Sequence, residues 1–213
     1  MDPAKILAKN IRAGSGNHGL SEDHLYEIFS KCNNVEQFAY TLKKCVEHSG
    51  ADAFSTHLTN IVKPSFSNFT IWHHIDEKWN ISWGFERTQP GCYVYGLFDK
   101  KPNKSADFLD PDVIYIGESR AITRNCMLGR RTDFKGTVRN DRLSPYGCGT
   151  AFKNAFGKEK IDHVYQAYLP MHPSLCKIVE IELLVEYYNK YQRIPICNPA
   201  LDLVRVKKFL EEK

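Results

Sequence analysis

Residues 91–119 read GCYVYGLFDKKPNKSADFLDPDVIYIGES and contain two short runs of strand-forming residues separated by a polar segment. The runs CYVYGLF and VIYIG are rich in Tyr, Val and Ile, whereas Lys, Pro, Asn, Ser and Asp predominate between them. Strand formers on both sides of a turn-prone segment predict a β-hairpin with an extended loop at 99–111. Each strand has a tyrosine near a glycine, Tyr93 near Gly91 and Tyr115 near Gly117. Because tyrosine is common in strands, the hairpin alone predicts core packing and no chemistry.

The sequence before the hairpin divides into an arm and an extension. Residues 1–20 hold few large apolar side chains and are interpreted as a loose N-terminal arm. From Ser21 to Val62 apolar residues recur at helical spacing, which predicts helices after the N-cap candidates Ser21 and Asn34 and a third from Ala51 to Val62. Residues 66–90 alternate aromatic and β-branched residues and are interpreted as a two-stranded ribbon. Residues 21–90 therefore form a helical and β-ribbon extension.

The ribbon segment contains all three tryptophans of the chain, Trp72, Trp79 and Trp83. Exposed aromatic side chains on a ribbon could stack on nucleic-acid bases or enter a groove, which would make the extension a DNA contact. The alternative, which we favour, is that these side chains pack the extension against the module that follows.

The sequence after the hairpin alternates helical and strand patterns. A helix is expected at 121–131, irregular structure at 132–149, a short helix at 150–156, a strand at 162–169, a long helix at 174–191 and a closing helix at 201–213. Together with the hairpin, this order predicts an α+β fold in which helices flank an antiparallel sheet.

Composition indicates a folded protein in a reducing compartment. The chain has 213 residues, lacks a continuous apolar run long enough for a transmembrane helix, and begins without the apolar segment of a secretory signal. Its seven cysteines are irregularly spaced and include no Cys-x-x-Cys pair, which argues against a disulfide framework and against a zinc site of paired cysteines. We therefore expect a cytoplasmic protein that does not enter the membrane.

The positive charge is concentrated in one segment. Residues 120–160 carry ten basic and three acidic side chains, so this segment contributes +7 while the rest of the chain nets −3. Concentrated basic charge is expected where a protein binds a phosphate backbone, although it can also be a solvated face. Its position directly after the tyrosine hairpin favours nucleic acid as the partner.

From the hairpin onward, the order of these motifs resembles that of the GIY-YIG nuclease family. Gly91-Cys92-Tyr93 and Tyr115-Ile116-Gly117 match the two halves of its signature, with Cys92 in place of an aliphatic residue. Arg130 matches the arginine of the next helix, Glu180 to Leu184 match the glutamate pattern, and Pro195 to Asn198 match the terminal asparagine. The resemblance covers residues 91–200 and does not extend to the first 90.

The resemblance implies a three-stranded antiparallel sheet flanked by helices and a set of catalytic roles. Tyr93 or Tyr115 would take the proton of the attacking water, directly or through a relay; we favour Tyr93 as the base and Tyr115 as its hydrogen-bonding partner. Arg130 would clamp the scissile phosphate, and Glu180 would bind one Mg²⁺ or Mn²⁺ ion per site. Asn198 would orient Glu180 or close the site. Since an unperturbed tyrosine has a pKa of about 10, a base role needs help from its surroundings.

Several of these assignments have a competitor. Arg124 is an alternative to Arg130 as the catalytic arginine, and Glu182 is an alternative to Glu180 as the metal ligand. The two glutamates point about 200° apart around a helix, so both are not expected to bind one ion. Phe134 stands where the family often has a histidine or tyrosine one turn after the arginine, which leaves no secondary base there.

Substrate contacts are expected mainly from the basic segment. Gly117 would let the backbone approach the substrate closely. Phosphates would be contacted by Arg124, Arg131, Lys135, Arg139 and Arg142. A module of this size should cut one strand per active site, so double-strand cleavage would need a homodimer or sequential nicks.

The sequence therefore predicts a divalent-metal-dependent endonuclease that hydrolyses DNA phosphodiester bonds, of a restriction or phage type. A repair or recombination nuclease of the same family is a close alternative. A non-catalytic nucleic-acid-binding protein with the same fold is the alternative from another class, because binding needs only the basic surface.

Overall fold

The structure is a computed structural model that describes residues 8, 22–32, 37, 69–103, 106–120, 126–140, 146–171 and 173–211. The N-terminal arm and the helices expected after Asn34 and from Ala51 to Val62 lie almost entirely outside the described residues. The fold is α+β, as predicted, and its sheet has four antiparallel strands. Among the described residues, no helix has both the length and the apolar character needed to cross a membrane.

The sheet has the order β1-β4-β2-β3. Its strands are β1 (His73–His74), β2 (Gly91–Leu97), β3 (Val113–Ser119) and β4 (Val164–Pro170). The predicted hairpin is confirmed as β2 and β3, which pair with Tyr93 opposite Gly117 and Tyr95 opposite Tyr115. β2 also pairs with β4, so the first half of the tyrosine hairpin lies inside the sheet.

Helices surround this sheet. They are α1 (Glu22–Phe29), α2 (Met127–Asn140), α3 (Gly147–Phe156), α4 (Pro173–Tyr191) and α5 (Ala200–Glu211). Two 3₁₀ turns cover Ile81–Trp83 and Lys158–His163. The predictions of helices after Ser21, at 150–156, at 174–191 and from Asp202 onward are confirmed within a few residues at their ends.

The prediction for the segment after the hairpin was wrong in its boundaries. Instead of a helix to Arg131 and irregular structure beyond, α2 continues to Asn140. Gly136 lies inside α2, and glycine in a helix interior costs about 1 kcal/mol relative to alanine. In the structure Phe134 and Val138 are buried against the sheet, and burial of two large side chains outweighs that cost.

The prediction of a two-stranded ribbon at 66–90 is also wrong for the described residues 69–90. This segment contributes only the two-residue β1, which pairs with β4, followed by a 3₁₀ turn that begins at the N-cap Asn80. Trp72 is fully buried and Trp83 nearly so, as the packing interpretation predicts. The alternation of aromatic residues here reflects core contacts and not strand pairing.

Two cores lie on opposite faces of the sheet because successive strand residues point to opposite sides. Cys92, Val94 and Ile116 belong to the core shared with α4. Tyr93 and Tyr95 belong to the core shared with α2 and α3. The tyrosines and Cys92, although adjacent in sequence, therefore face different helices.

Candidate active site

A cluster of three tyrosine hydroxyls lies on the face of the hairpin that α2 and α3 cover. The hydroxyl oxygen of Tyr146 is 2.6 Å from that of Tyr93 and 3.2 Å from that of Tyr115. Tyr93 is buried, whereas Tyr115 and Tyr146 are partly exposed. The expected hydrogen bond between Tyr93 and Tyr115 is therefore not formed; each hydroxyl bonds to that of a third tyrosine, Tyr146, which the sequence did not indicate.

The main chain holds Tyr146 at the start of α3. Its backbone N–H donates to the Thr137 hydroxyl of α2 at 2.8 Å, and its carbonyl accepts from Thr150 at 3.1 Å. The guanidinium carbon of Arg130, on α2, lies 5.7 Å from the centre of the Tyr146 ring, within the range of a cation–π contact. Arg130 therefore borders the tyrosine cluster from the helix that follows the hairpin.

Burial keeps all three phenols protonated at neutral pH. It raises the pKa of Tyr93 and of Tyr115 well above the ordinary value for tyrosine. Burial and the nearby Cys148 raise the pKa of Tyr146 to about 12, while the hydrogen bonds from Tyr115 and Tyr93 and the charge of Arg130 lower it. Tyr146 is therefore the member of the cluster in which hydrogen bonds and a positive charge oppose the rise of the pKa.

Close packing explains the glycines of the two signature tripeptides, Gly91-Cys92-Tyr93 and Tyr115-Ile116-Gly117. A Cβ at Gly117 would overlap the ring of Tyr115, which lies over that position. A Cβ at Gly91 would overlap the carbonyl oxygen of Leu169 and the sulfur of Met127. Gly117 is thus needed for the placement of a tyrosine, in addition to any role in letting substrate approach.

Glu180 lies on α4 with only 6% of its surface exposed. The ammonium group of Lys177, one turn earlier, forms a close ion pair with its Oε2 atom. Burial raises the pKa of Glu180 to about 7; the charge of Lys177 opposes this, and the negative charges of Glu118 and Asp202 raise it further. A buried carboxyl near other negative charges favours a cationic partner when it is ionised.

The carboxylate and the tyrosines are electrostatically connected across the edge strand. Burial is the main cause of the raised pKa of Tyr115, and the charge of Glu180 adds to it. Glu118, on the strand opposite Cys92, contributes to the raised pKa of Glu180. Tyr115 and Glu118 both belong to β3, so this strand borders both halves of the site.

The fit of a metal ion can be judged from the donor set. Within the described ranges, no three or more His, Cys, Asp or Glu side chains are grouped so that they could hold a metal. Mg²⁺ is often held by one or two carboxylates while it keeps several waters, so a site based on Glu180 is compatible with this finding. The pairing of Lys177 with Glu180 indicates that the carboxylate takes a cationic partner, which an incoming ion would have to displace.

Asn198 does not bond to Glu180. Its Oδ1 accepts from the backbone N–H of Ile116 at 3.0 Å, and its Nδ2 donates to the Ile116 carbonyl at 2.8 Å. Nδ2 also lies 3.1 Å from Oδ2 of Asp202 on α5. Asn198 therefore fastens the segment before α5 to the outer edge of β3, a structural task different from the orienting role that the resemblance implies.

Three of the expected phosphate contacts are engaged within the protein. Arg131 donates to the carbonyl of Glu77 at 2.8 Å, Lys135 lies 2.5 Å from Asp76, and Arg139 makes two bonds to Asp76 at 2.9 and 2.6 Å. These bonds, chiefly the one from Arg139, hold the pKa of Asp76 well below its usual range. This face of α2 fastens the turn after β1. Arg124 and Arg142 lie outside the described residues.

A cavity of about 590 Å³ lies between residues 78–88 and the first turns of α2. Lys78, Arg87 and Arg131 line it together with the ring of Trp79 and only one acidic side chain, Asp133. None of the tyrosines of the cluster, nor Glu180, contributes to its lining. We refer to it as the cation-lined cavity.

Comparison of the chain with protein-family models, with curated proteins and with solved structures finds no match.

The sequence missed two members of this site. Tyr146, between Pro145 and Gly147, belongs to no periodic pattern in the sequence that would place it near the hairpin. Lys177 could have been found, because residues three apart on a helix are neighbours and a Lys–Glu pair at that spacing is a common ion pair.

Proposed function

We propose that this chain is a divalent-metal-dependent endonuclease that hydrolyses DNA phosphodiester bonds. The observation that carries the proposal is the convergence of the hairpin tyrosines on the Tyr146 hydroxyl, beside Arg130 and within electrostatic reach of Glu180. A protein that only binds DNA needs a basic surface, and binding alone requires neither a tyrosine cluster nor a buried carboxylate.

The arrangement of elements supports the GIY-YIG type within this class. The hairpin β2–β3 and the strand β4 form an antiparallel group with β2 in the centre. Helix α2 with Arg130 follows the hairpin, and helix α4 with Glu180 follows β4. This is the order of elements that the resemblance of residues 91–200 implies, and β1 adds a short strand at the opposite edge.

Phosphodiester hydrolysis requires an activated water, neutralisation of the charge on the phosphate and a stabilised leaving oxygen. In this proposal a tyrosine of the cluster, in its deprotonated phenolate form, accepts the proton of the water. Arg130 suits the phosphate, because its planar guanidinium can donate two parallel hydrogen bonds. Glu180 would hold the metal ion, which when bound supplies Lewis-acid stabilisation of charge at the phosphate.

The DNA strand would extend from Arg130 toward the cation-lined cavity. Lys78 and Arg87 are exposed cations there, and the Trp79 ring offers a stacking surface for a base. Arg131, Lys135 and Arg139 are assigned to holding the fold, because their charges are already bonded to Glu77 and Asp76.

A restriction or phage-type enzyme is the role we favour, and a repair nuclease would use the same site. The second candidate is a non-catalytic nucleic-acid-binding protein of the same fold. The observation in its favour is the ion pair of Lys177 with Glu180, which neutralises the carboxylate without a metal.

The test is cleavage of supercoiled plasmid by the purified chain with Mg²⁺ or Mn²⁺. We expect nicked circles to appear first, and we expect Glu180→Ala to abolish cleavage while retaining salt-sensitive DNA binding. Glu182→Ala, two residues away on the same helix, is the matched control and should still cleave. Loss of activity in Glu182→Ala but not in Glu180→Ala would exchange the two assignments. A plasmid left intact by the wild type under both metals would favour the binding protein.

The number of DNA strands cut in one binding event tests the oligomeric state of the protein. If one site cuts one strand, a monomer should yield linear DNA only after nicked DNA accumulates. Linear product that forms without a nicked intermediate would indicate the homodimer, and sedimentation of the protein with its DNA would then give the mass of two chains.

A further inference from the structure

The hydroxyl of Tyr146 occupies the middle position of the tyrosine cluster. It contacts the Tyr93 hydroxyl at 2.6 Å and the Tyr115 hydroxyl at 3.2 Å. A phenol has one proton to donate and two lone pairs that accept. The middle oxygen is therefore the only one of the three placed to accept hydrogen bonds from both of the others.

This geometry determines where a negative charge is most stable. If Tyr146 loses its proton, both neighbours donate to its oxygen and two charge-assisted bonds form. If Tyr93 or Tyr115 loses its proton, only one neighbour, Tyr146, can donate to it. Hydrogen bonds to a charged acceptor are roughly twice as strong as neutral ones, so the middle phenolate has the advantage of one strong bond.

Most of the groups that face Tyr146 from the surrounding elements stabilise its phenolate, and Cys148 opposes them. β2 and β3 supply the two phenols, and α2 supplies the positive charge of Arg130 near the ring. α3 supplies Cys148, which raises the pKa of Tyr146, though less than burial does. Burial raises the pKa of Tyr93 and Tyr115 without a comparable opposing hydrogen bond.

We propose that Tyr146 accepts the proton of the attacking water, and that Tyr93 and Tyr115 donate hydrogen bonds to its phenolate. This assignment rests on the proposed nuclease function and takes the base role from Tyr93. The proton of the water passes to the Tyr146 oxygen, and the water oxygen forms the new bond to phosphorus. The bond from phosphorus to the leaving deoxyribose oxygen breaks, and solvent water protonates that oxygen. Tyr146 then returns its proton to solvent.

The first experiment requires no DNA and no metal. Fluorotyrosine is incorporated at position 93, 115 or 146, one position at a time, and each label is titrated by fluorine NMR. We expect the label at 146 to deprotonate at the lowest pH, and we expect Tyr93→Phe to raise its midpoint because one donor is lost. Earlier deprotonation of the label at 93 or at 115 would overturn the proposal. The fluorine atom is a small change, so circular dichroism should show an intact fold.

The second experiment measures the pH dependence of plasmid cleavage. The wild-type rate should rise about tenfold per pH unit below the pKa of the base, because only the phenolate fraction is active. Tyr146→Phe should lower the rate by about 100-fold or more and remove this slope. Tyr188→Phe, on α4 and away from the cluster, is the matched control and should behave as the wild type.

The two experiments separate failure of this assignment from failure of the proposed function. If Tyr146→Phe keeps the slope and Tyr93→Phe loses it, the nuclease function stands and the base is Tyr93. If the wild type cleaves no DNA, the proposed function fails and with it the role in catalysis, while the fluorine titration still decides which tyrosine carries the charge.

Discussion

Replacement of Glu180 by Gln should change how the stability of this protein depends on pH. The folded protein holds this carboxyl in a buried position where its pKa is about 7, against an ordinary value of 4.5. Between these two values the folded state keeps a proton that the unfolded state has released. Glutamine has nearly the same shape and no proton to lose, so the variant removes this difference without emptying the position.

The direction of this pH dependence follows from the number of protons bound in the folded and unfolded states. Where the folded state binds more protons than the unfolded state, the free energy of unfolding falls as pH rises. The stabilisation from the neutral carboxyl is complete below pH 4.5 and is lost as the pH rises to about 7. At about 1.4 kcal/mol per pH unit, this window corresponds to a decrease of about 3 kcal/mol in the wild type relative to Glu180→Gln.

The measurement is urea unfolding followed by circular dichroism at a series of pH values from 4 to 8, without divalent metal. The quantity compared is the difference in the free energy of unfolding between variant and wild type at each pH. Glu86→Gln removes a carboxyl from an exposed position and is the matched control, for which this difference should vary little.

If the free energy of unfolding of Glu180→Gln differs from that of the wild type by the same amount at every pH, the carboxyl of Glu180 does not have a raised pKa in the folded protein. Lys177→Met gives a second test of the same reasoning. The charge of Lys177 lowers the pKa of Glu180, so its removal should extend the loss of stability to higher pH and make the total loss larger. A smaller total loss in Lys177→Met would mean that the ion pair does not control this carboxyl.

Two further predictions concern the supports of the site. Asn198→Ala should lower the free energy of unfolding by about 2 kcal/mol or more, because it leaves the N–H and carbonyl of Ile116 without their partners. The control Asn189→Ala, at an exposed helical position, should change the free energy of unfolding by no more than about 0.5 kcal/mol. Urea unfolding of both variants checks this prediction. Gly117→Ala should cost about 1 to 3 kcal/mol, because its Cβ overlaps the ring of Tyr115. In fluorine spectra, the fluorotyrosine label at Tyr115 should shift in Gly117→Ala, and an unchanged spectrum would contradict the close packing.

The hairpin could be predicted from sequence because its signals are local. Strand formers on both sides of a polar segment define β2 and β3, whereas their register, with Tyr93 opposite Gly117, is known only from the structure. The long helix α4 was equally clear from the spacing of its apolar residues and from Pro195 beyond its end. In both cases residues within one element carry enough information to specify it.

What the sequence did not indicate depends on contacts between distant residues. Lys135 and Arg139 look like a DNA-binding face because their partner, Asp76, lies about sixty residues earlier in the chain. Tyr146 belongs to the site only because Thr137 and the start of α3 hold it over the hairpin. Neither contact leaves a periodic pattern, so neither was predictable from propensity or spacing.

The edge strand β3 connects two chemically different half-sites. Tyr115 points to the tyrosine cluster, while Glu118 affects the carboxyl of Glu180 from the same strand. Between them, both backbone groups of Ile116 are bonded to Asn198. A shift of β3 would change both half-sites together. Asn198 therefore serves the site by fixing this strand, which accounts for an asparagine at the position that the resemblance marks although it makes no bond to the carboxylate.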